Sequence, residues 1–199
     1  ISAIEVAREL ALRSDAQVVG VAGRHRHPPT VGFVPPISVN SLPIGGPVLY
    51  ESWLRLGWPK VESVVDNADL VHSTTIIPSA TSLPLVVTIH DLAFLRHPDF
   101  FTARGNKVFR RSLDIIRDKA AMVLCSSQAT LEDCQTAGID ADRLRLVPLG
   151  VRSQTITDAD RARVRATYDL PERFVLFVGT LEPLKNLARL IAALDSIRG

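Results

Sequence analysis

Residues 83–92 read Leu-Pro-Leu-Val-Val-Thr-Ile-His-Asp-Leu, and this segment contains the pattern from which the fold follows. Its apolar and β-branched residues, Leu85–Ile89, form a run of strand length that ends in two polar residues, His90 and Asp91. A short apolar run bounded by a proline and by polar residues is typical of a strand buried inside a parallel sheet. The segment therefore predicts a central strand with His90 and Asp91 at its carboxyl end.

Similar short runs occur on both sides of this strand, and amphipathic helical segments separate many of them. We predict further strands at residues 18–22, 70–72, 122–125 and 144–147, and helices around residues 4–11, 49–56, 104–119 and 128–137. The clearest helical period is the spacing of Val108, Ser112 and Ile116, with charged residues between them. This alternation predicts an α/β fold with a Rossmann-like, doubly wound parallel sheet.

Two parts of the amino-terminal region do not fit a complete sheet of this kind. Residues 25–47 are rich in proline, glycine and histidine and predict a loop, with one strand near Thr30–Val34. The chain opens with a helical pattern, whereas a parallel α/β sheet normally opens with a strand. We therefore expect an amino-terminal strand and its loop to be missing from the chain.

The composition changes after Gly150. Residues 152–165 are polar and charged, and a helix is expected at about 158–168, followed by a buried strand at 174–178 and a helix at 187–197. We predict a first domain at residues 1–151, and at residues 152–199 a linker with the first βα unit of a second Rossmann-like domain. One βα unit cannot bury both faces of its strand. The chain is therefore interpreted as a fragment truncated at both ends.

Composition excludes several classes of protein. The 46% hydrophobic content excludes a disordered chain, and no apolar run approaches the roughly 18 residues of a membrane-spanning helix. Lys and Arg number 23 against 21 Asp and Glu, a balance that does not favour nucleic acid as a partner. Cys125 and Cys134 have no accompanying CxxC motif or histidine pair, which favours free thiols over a zinc site. With no secretory signal visible, we expect a cytoplasmic protein.

The predicted helix 104–119 carries an excess of basic residues. They are Arg104, Lys107, Arg110, Arg111, Arg117 and Lys119, against Asp114 and Asp118. The ordinary interpretation is a solvated face with ion pairs between residues four apart. The alternative is contact with anionic lipid or an acidic partner, which would place the protein peripherally at the inner face of the membrane.

Polar residues follow three of the predicted strands, at residues 72–74, 88–91 and 126–127, and Pro148-Leu149-Gly150 follows a fourth. Ligands of parallel α/β sheets bind beyond the carboxyl ends of the strands, so these positions predict a ligand cleft without specifying a reaction. Three of them also have a structural explanation: His90 caps the turn with Asp91 as an N-cap, His72 is a satisfied, half-buried histidine, and Ser126 or Ser127 is a helix cap.

Gly179-Thr180-Leu181-Glu182-Pro183-Leu184-Lys185-Asn186 follows the predicted strand at 174–178 and leads into a helix. A lysine beside a glycine-containing strand–helix turn suits a phosphate group, although an exposed lysine is usually only solvated. The segment is not a Walker A loop, and no GxGxxG, GxSxG or HExxH motif occurs in the chain. A nicotinamide cofactor and the common hydrolase mechanisms are therefore disfavoured.

Five segments, in this order and at this spacing, resemble the retaining glycosyltransferases of family 4, which have two facing Rossmann-like domains in the GT-B arrangement. The segments are Asp69–His72, Val87–Leu92, Val123–Thr130, Arg145–Val151 and Val178–Leu187. The resemblance extends over nearly the whole chain, with residues 1–65 matching only loosely.

The resemblance implies a division of labour between the domains. The first would bind the acceptor and the second the nucleotide-sugar donor, with His90 near the transferred sugar. Lys185 would bind the donor diphosphate and stabilise the leaving group without a metal or other cofactor. The remaining residues implied are Gly150, Gly179, Thr180 and Asn186 on the donor side, and His72, Asp91, Ser126 and Ser127 on the acceptor side.

The implied activity is transfer of a hexosyl unit, mannose or glucose, from a nucleotide-diphosphate sugar to a glycan or lipid-linked acceptor with retention of configuration. The intact protein would be the enzyme, and this chain alone would be inactive. The alternatives are a non-catalytic sugar- or nucleotide-binding module and a nucleotide-sugar epimerase of the same architecture. Thr180 and Leu184 stand where many relatives carry an arginine, which puts a second cationic phosphate contact in doubt.

Overall fold

The structure, a computed structural model, describes residues 2–151 and 153–197. The chain divides into two compact units, Ile1–Leu149 and Gly150–Gly199. Arg152, with which the predicted second domain begins, lies outside the described residues.

The described part of the first unit is built from helices and short strands. Its helices are α1 (Ser2–Ala11), α2 (Gly46–Leu56), α3 (Ala93–Arg96), α4 (Ala103–Lys119) and α5 (Gln128–Thr136). Its strands are β1 (Gly20–Ala22), β2 (Val39–Ser41), β3 (Val71–Ser73), β4 (Leu85–Ile89), β5 (Ala120–Cys125) and β6 (Leu144–Leu146). The second unit contains α6 (Asp158–Tyr168) and α7 (Leu187–Ser196).

The strands of the first unit form two parallel sheets. One has the order β3-β4-β5-β6, with every neighbouring pair parallel, and β1 pairs with β2 in the other. In the larger sheet, α4 connects β4 to β5 and α5 connects β5 to β6. The predicted α/β class with a parallel, Rossmann-like arrangement is therefore confirmed, with the described strands divided between two sheets.

The two faces of the larger sheet differ in burial. The core lies on the face that carries Val87, Ile89, Val123 and Cys125, all fully buried and packed with apolar residues of α4 and α5. The intervening residues of β4 and β5 face the other way and are mostly half-buried. Because successive side chains of a strand alternate between faces, the core fixes which residues remain accessible on the opposite face.

Side-chain caps fix where the two connecting helices begin. The Thr102 hydroxyl accepts a hydrogen bond from the Gly105 backbone N–H at 3.0 Å at the start of α4. The Ser127 hydroxyl accepts one from the Thr130 N–H at 3.1 Å at the start of α5. Each bond satisfies a backbone donor that has no partner inside its helix.

The strand predicted at Thr30–Val34 is wrong. Gly32 has a φ of +96°, which is incompatible with an extended strand, and prolines precede and follow the segment. The strand of this region is β2, Val39–Ser41, whose residues are all exposed and which pairs with β1.

The buried strand predicted at residues 174–178 is also wrong. These residues form neither helix nor strand, and Phe174, Val175, Leu176 and Val178 are 47–84% exposed. A strand needs a hydrogen-bonded neighbour, and no strand is present among the described residues of the second unit. The helices predicted on either side, α6 and α7, are confirmed.

Candidate functional site

The polar residues at the strand ends lie along one edge of the larger sheet. Since β3, β4 and β5 are parallel neighbours, their carboxyl ends meet at the same edge. Ile89 pairs with Cys125, so His90 and Ser126, the next residue of each chain segment, are also neighbours. The structure thus brings together the predicted residues at 72, 90–91 and 126–127, and we call this edge the strand-end site.

The backbone of His90 is fixed by two hydroxyl groups. Its carbonyl oxygen accepts hydrogen bonds from Ser126 Oγ and from Thr130 Oγ1, each at 2.9 Å. The Ser126 backbone N–H also donates to the Ile89 carbonyl at 3.3 Å. The imidazole is half-buried, and within residues 2–151 and 153–197 no protein group forms a hydrogen bond with its ring nitrogens. The backbone of His90 is thus anchored, while its ring nitrogens are available to form hydrogen bonds with a ligand.

Asp91 shapes the turn that follows. Its carboxylate accepts a hydrogen bond from the Ala93 backbone N–H at 2.9 Å, at the start of α3. This contact is the local turn expected of an aspartate two residues before an N–H group. Asp91 itself is exposed.

His72 shares a hydrogen bond with a residue of the neighbouring strand. Its Nε2 lies 2.8 Å from Thr88 Oγ1, and both side chains are half-buried. Burial lowers the pKa of the His72 imidazole below its ordinary value, because the charged form loses solvation. His72 is therefore neutral near pH 7. Its Nε2 is engaged by Thr88, which leaves Nδ1 as the ring nitrogen that is not bonded to Thr88.

Two hydroxyl groups next to His90 complete a hydrogen-bonded chain. Ser127 Oγ lies 2.8 Å from Thr130 Oγ1 and also accepts from the Thr130 N–H. The helix-cap explanation therefore accounts for Ser127. The sequence did not indicate Thr130 as a partner of His90 or Thr88 as a partner of His72, since both contacts join distant residues.

The second unit holds the residues predicted on the donor side. Gly150 is exposed, and a Cβ added there would meet no atom of the protein, so the space beside its backbone is open. Gly179 is crowded on one side, since an added Cβ would lie 3.1 Å from Phe177 Cζ. Thr180 Oγ1 donates to the Glu182 carboxylate at 2.7 Å.

Lys185 lies in a tight turn directly before α7. Pro183–Lys185 form one 3-10 turn, and Asn186 adopts a left-handed conformation with a φ of 51° before the helix begins at Leu187. The Lys185 side chain is exposed and forms no ion pair among the described residues. The turn therefore presents an uncompensated ammonium group to solvent at the amino-terminal end of a helix.

A groove lies between α2 and α4 on the first unit, with a cavity volume of about 690 Å³. Its lining is Glu51, Leu54, Arg55, Ala103, Arg104, Lys107, Val108 and Arg111. Glu51 is contacted by Arg55 at 3.0 Å and by Arg104 at 3.3 Å, and the Arg55 guanidinium in particular lowers the pKa of its carboxyl. Four cations against one anion leave the groove positively charged.

Three further features bear on candidate sites: metal-binding clusters, the two cysteines and membrane-spanning helices. The described residues contain no cluster of three or more His, Cys, Asp or Glu side chains that could hold a metal ion. Cys125 and Cys134 are free, buried thiols with their sulfur atoms 3.9 Å apart, as the sequence predicted. No helix in the described part of the chain is long and apolar enough to cross a membrane.

Comparison with known proteins gives one family. The profile of Glycosyltransferase Family 4 matches residues 1–155. The D-inositol 3-phosphate glycosyltransferase of Acidothermus cellulolyticus is 27% identical over 207 residues, which cover 92% of this chain and 46% of the relative. The enzyme of the same name from Nocardia farcinica is 31% identical over 108 residues, 52% of this chain and 24% of the relative. The chain thus spans less than half the length of these two relatives.

Solved structures of HepE from Anabaena are also similar to part of the chain. The complex with UDP and glucose aligns with a TM-score of 0.42 and 18% identity, covering 66% of this chain and 37% of HepE. The complex with UDP-glucose aligns with a TM-score of 0.38 and 19% identity, covering 51% and 29%.

Proposed function

The chain belongs to glycosyltransferase family 4, and on that premise we propose that it forms the acceptor-binding domain and the first donor contacts of a retaining hexosyltransferase. The donor is a nucleotide-diphosphate sugar carrying mannose or glucose. The acceptor is either a glycan or a lipid-linked molecule. Both relatives described above are named for D-inositol 3-phosphate, which adds a phosphorylated polyol to the acceptors worth testing.

This proposal rests mainly on the hydrogen bonding of His90. Its backbone is anchored by two hydroxyl groups while its ring nitrogens have no hydrogen-bond partner in the described residues. Positioned donors and acceptors of this kind stabilise charge that develops in a transition state without having to reorganise. In the proposed enzyme, the His90 imidazole forms a hydrogen bond to the transferred sugar.

The second unit supplies the donor contacts in this proposal. Lys185 forms an ion pair with the diphosphate and stabilises the charge that grows on the leaving group, a role that needs no metal. The same donor is also contacted by the side chains or backbone of four further residues, Asn186, Thr180, Gly179 and Gly150. Leu184 and Thr180 occupy positions where many relatives carry an arginine, so the proposal includes no second cationic contact from this turn.

We also propose that the active enzyme is longer than this chain. The chain spans less than half the length of its two named relatives, and catalysis by proximity requires donor and acceptor to be bound together. We call that longer protein the intact enzyme, and expect the 199-residue chain alone to show no transfer of radiolabelled sugar. Transfer by the chain alone would overturn this expectation.

The experiment that tests the function is replacement of His90 by alanine in the intact enzyme. Removing a preorganised hydrogen bond from the transition state should lower kcat by about 100-fold or more. His97→Ala is the matched control, since His97 is an exposed histidine of the same unit that lies outside the strand-end site. Normal kcat in His90→Ala would remove His90 from the catalytic machinery. Donor binding without transfer to any acceptor would favour the non-catalytic module.

We also propose a peripheral contact with the inner face of an anionic membrane, which would make the enzyme cytoplasmic. The basic groove between α2 and α4 and the adjoining face of α4 support this contact. Clusters of Lys and Arg bind anionic lipid surfaces through charge alone.

A further inference from the structure

We propose that Thr130 and Ser126 are positioning residues that set the direction of the His90 side chain. The inference rests on the proposed role of His90. Thr130 lies on α5, and Ser126 follows the end of β5. In this inference the two hydroxyls act on His90 and do not contact the ligand themselves. Both act through the same atom, the carbonyl oxygen of His90.

The carbonyl oxygen of His90 has its full complement of partners. A carbonyl has two lone pairs, and the hydroxyls of Ser126 and Thr130 each donate to it at 2.9 Å. The peptide between His90 and Asp91 therefore cannot rotate without breaking two hydrogen bonds. Asp91 in turn accepts from the Ala93 N–H at 2.9 Å, which holds the other side of the same turn.

The direction of each proton follows from the geometry. Thr130 has one hydroxyl proton, and the His90 carbonyl can only accept, so Thr130 donates to His90. Ser127 Oγ, 2.8 Å from Thr130 Oγ1, must then be the donor of that pair. Ser127 in turn accepts from the Thr130 N–H at 3.1 Å. Ser127 therefore accepts a hydrogen bond from the Thr130 backbone and donates one to the Thr130 hydroxyl. This orients the Thr130 hydroxyl toward the His90 carbonyl oxygen.

Burial makes the Thr130 contact specific. Thr130 is only 3% exposed, so water does not replace its hydroxyl easily. Capping of α5 by itself requires only the Ser127 hydroxyl and the Thr130 backbone N–H. The side-chain hydroxyl of Thr130 is therefore not needed to begin the helix, and its partner is the turn that carries His90.

The first experiment observes the His90 ring directly in the chain. Two-bond ¹H–¹⁵N spectra of the histidine rings are recorded, with the His90 signals identified by their loss in His90→Gln. Thr130→Val keeps the shape of the side chain and should shift or broaden the His90 signals. Thr136→Val, which removes an exposed threonine hydroxyl bonded to the Glu132 carbonyl in the same helix, should leave them unchanged.

The second experiment measures transfer by the intact enzyme. Losing one of the two anchoring hydrogen bonds should lower kcat about three- to tenfold and leave the donor KM within about twofold. Thr130→Ser, which keeps the hydroxyl, should restore most of the rate. A role in packing alone would instead leave the Thr130→Val rate near that of the wild type and lower the Thr130→Ser rate, because only serine loses the methyl group.

Ser126→Ala provides an independent arm, because Ser126 is half-buried and its truncation leaves no cavity in the core. If Thr130→Val fails to fold, this variant carries both measurements. Unmoved His90 signals in folded Ser126→Ala and Thr130→Val would overturn the inference. Normal kcat in His90→Ala with shifted ring signals in Thr130→Val would instead refute the proposed function and leave the positioning intact.

Discussion

The His72 imidazole lies half-buried on β3 with its Nε2 against the Thr88 hydroxyl. Burial lowers its pKa in the folded protein, whereas in the unfolded chain the imidazole has the ordinary value of about 6.5. As pH falls, the unfolded state therefore binds this proton first. The stabilisation that neutral His72 provides is fully present above the unfolded-state pKa and is lost as pH falls through the folded-state pKa.

We predict that His72→Gln removes part of the pH dependence of stability. The free energy of unfolding of the wild type should fall between pH 7.5 and 5.0, and should fall less in the variant, since glutamine does not titrate. Urea denaturation at the two pH values measures the difference. His27→Gln, in an exposed loop, is the control and should follow the wild type. An identical fall in wild type and His72→Gln would contradict the prediction.

At the scale of elements, α4 differs from the pattern its sequence suggested. The expected ion pairs four residues apart are replaced by Arg117 with Asp114, three residues apart at 2.9 Å. Arg104 reaches Glu51 on α2, and Arg111 Nε donates to the Leu54 carbonyl at 2.6 Å. In the described part of the chain, Lys107 and Arg110 have no ion-pair partner. These two side chains are neighbours on the helix surface.

Charge reversal on α4 tests the membrane contact. Lys107→Glu with Arg110→Glu should weaken binding to phosphatidylglycerol-containing vesicles about 30-fold or more, since each basic residue near an anionic surface contributes ~1 kcal/mol. Co-sedimentation with the vesicles measures the partition, which should also fall with added salt. Arg24→Glu with Arg26→Glu makes the same change in net charge on an exposed loop. Equal binding by the two double variants would refute the proposed surface.

At the scale of the whole molecule, the two units are proposed to serve different substrates. Lys185 lies in the second unit and His90 in the first. An ammonium–phosphate ion pair lost from the donor should weaken binding about tenfold or more. A hydrogen bond formed only with the sugar in the transition state should not affect donor affinity in the ground state.

We therefore expect Lys185→Ala to raise the donor Kd of the intact enzyme and His90→Ala to leave it near the wild-type value. Calorimetric titration with UDP-glucose and GDP-mannose measures both. Lys119→Ala, which removes an exposed lysine of the first unit, serves as the charge control. An unchanged donor Kd in Lys185→Ala would exclude Lys185 from the phosphate site.

The candidate site was only partly predictable from the sequence. The strand-end positions of His72, His90 and Ser126 follow from short apolar runs, which local composition reveals. The contacts do not: the His72–Thr88 pair joins two strands, and the Thr130–His90 bond joins residues forty positions apart. Such pairings depend on strand order and register, which no local pattern encodes.

The sequence by itself determined the α/β class, the positions of most helices and the central strands, because apolar period and helix-stop residues act over a few neighbouring positions. Tertiary structure alone decided which extended segments became strands. Val39–Ser41 is exposed and two of its three residues are polar, yet it is a strand because β1 lies beside it. Residues 174–178 are apolar yet remain unpaired, since no strand among the described residues of their unit lies beside them. A strand is completed by hydrogen bonds to a neighbour, whereas a helix satisfies its own backbone.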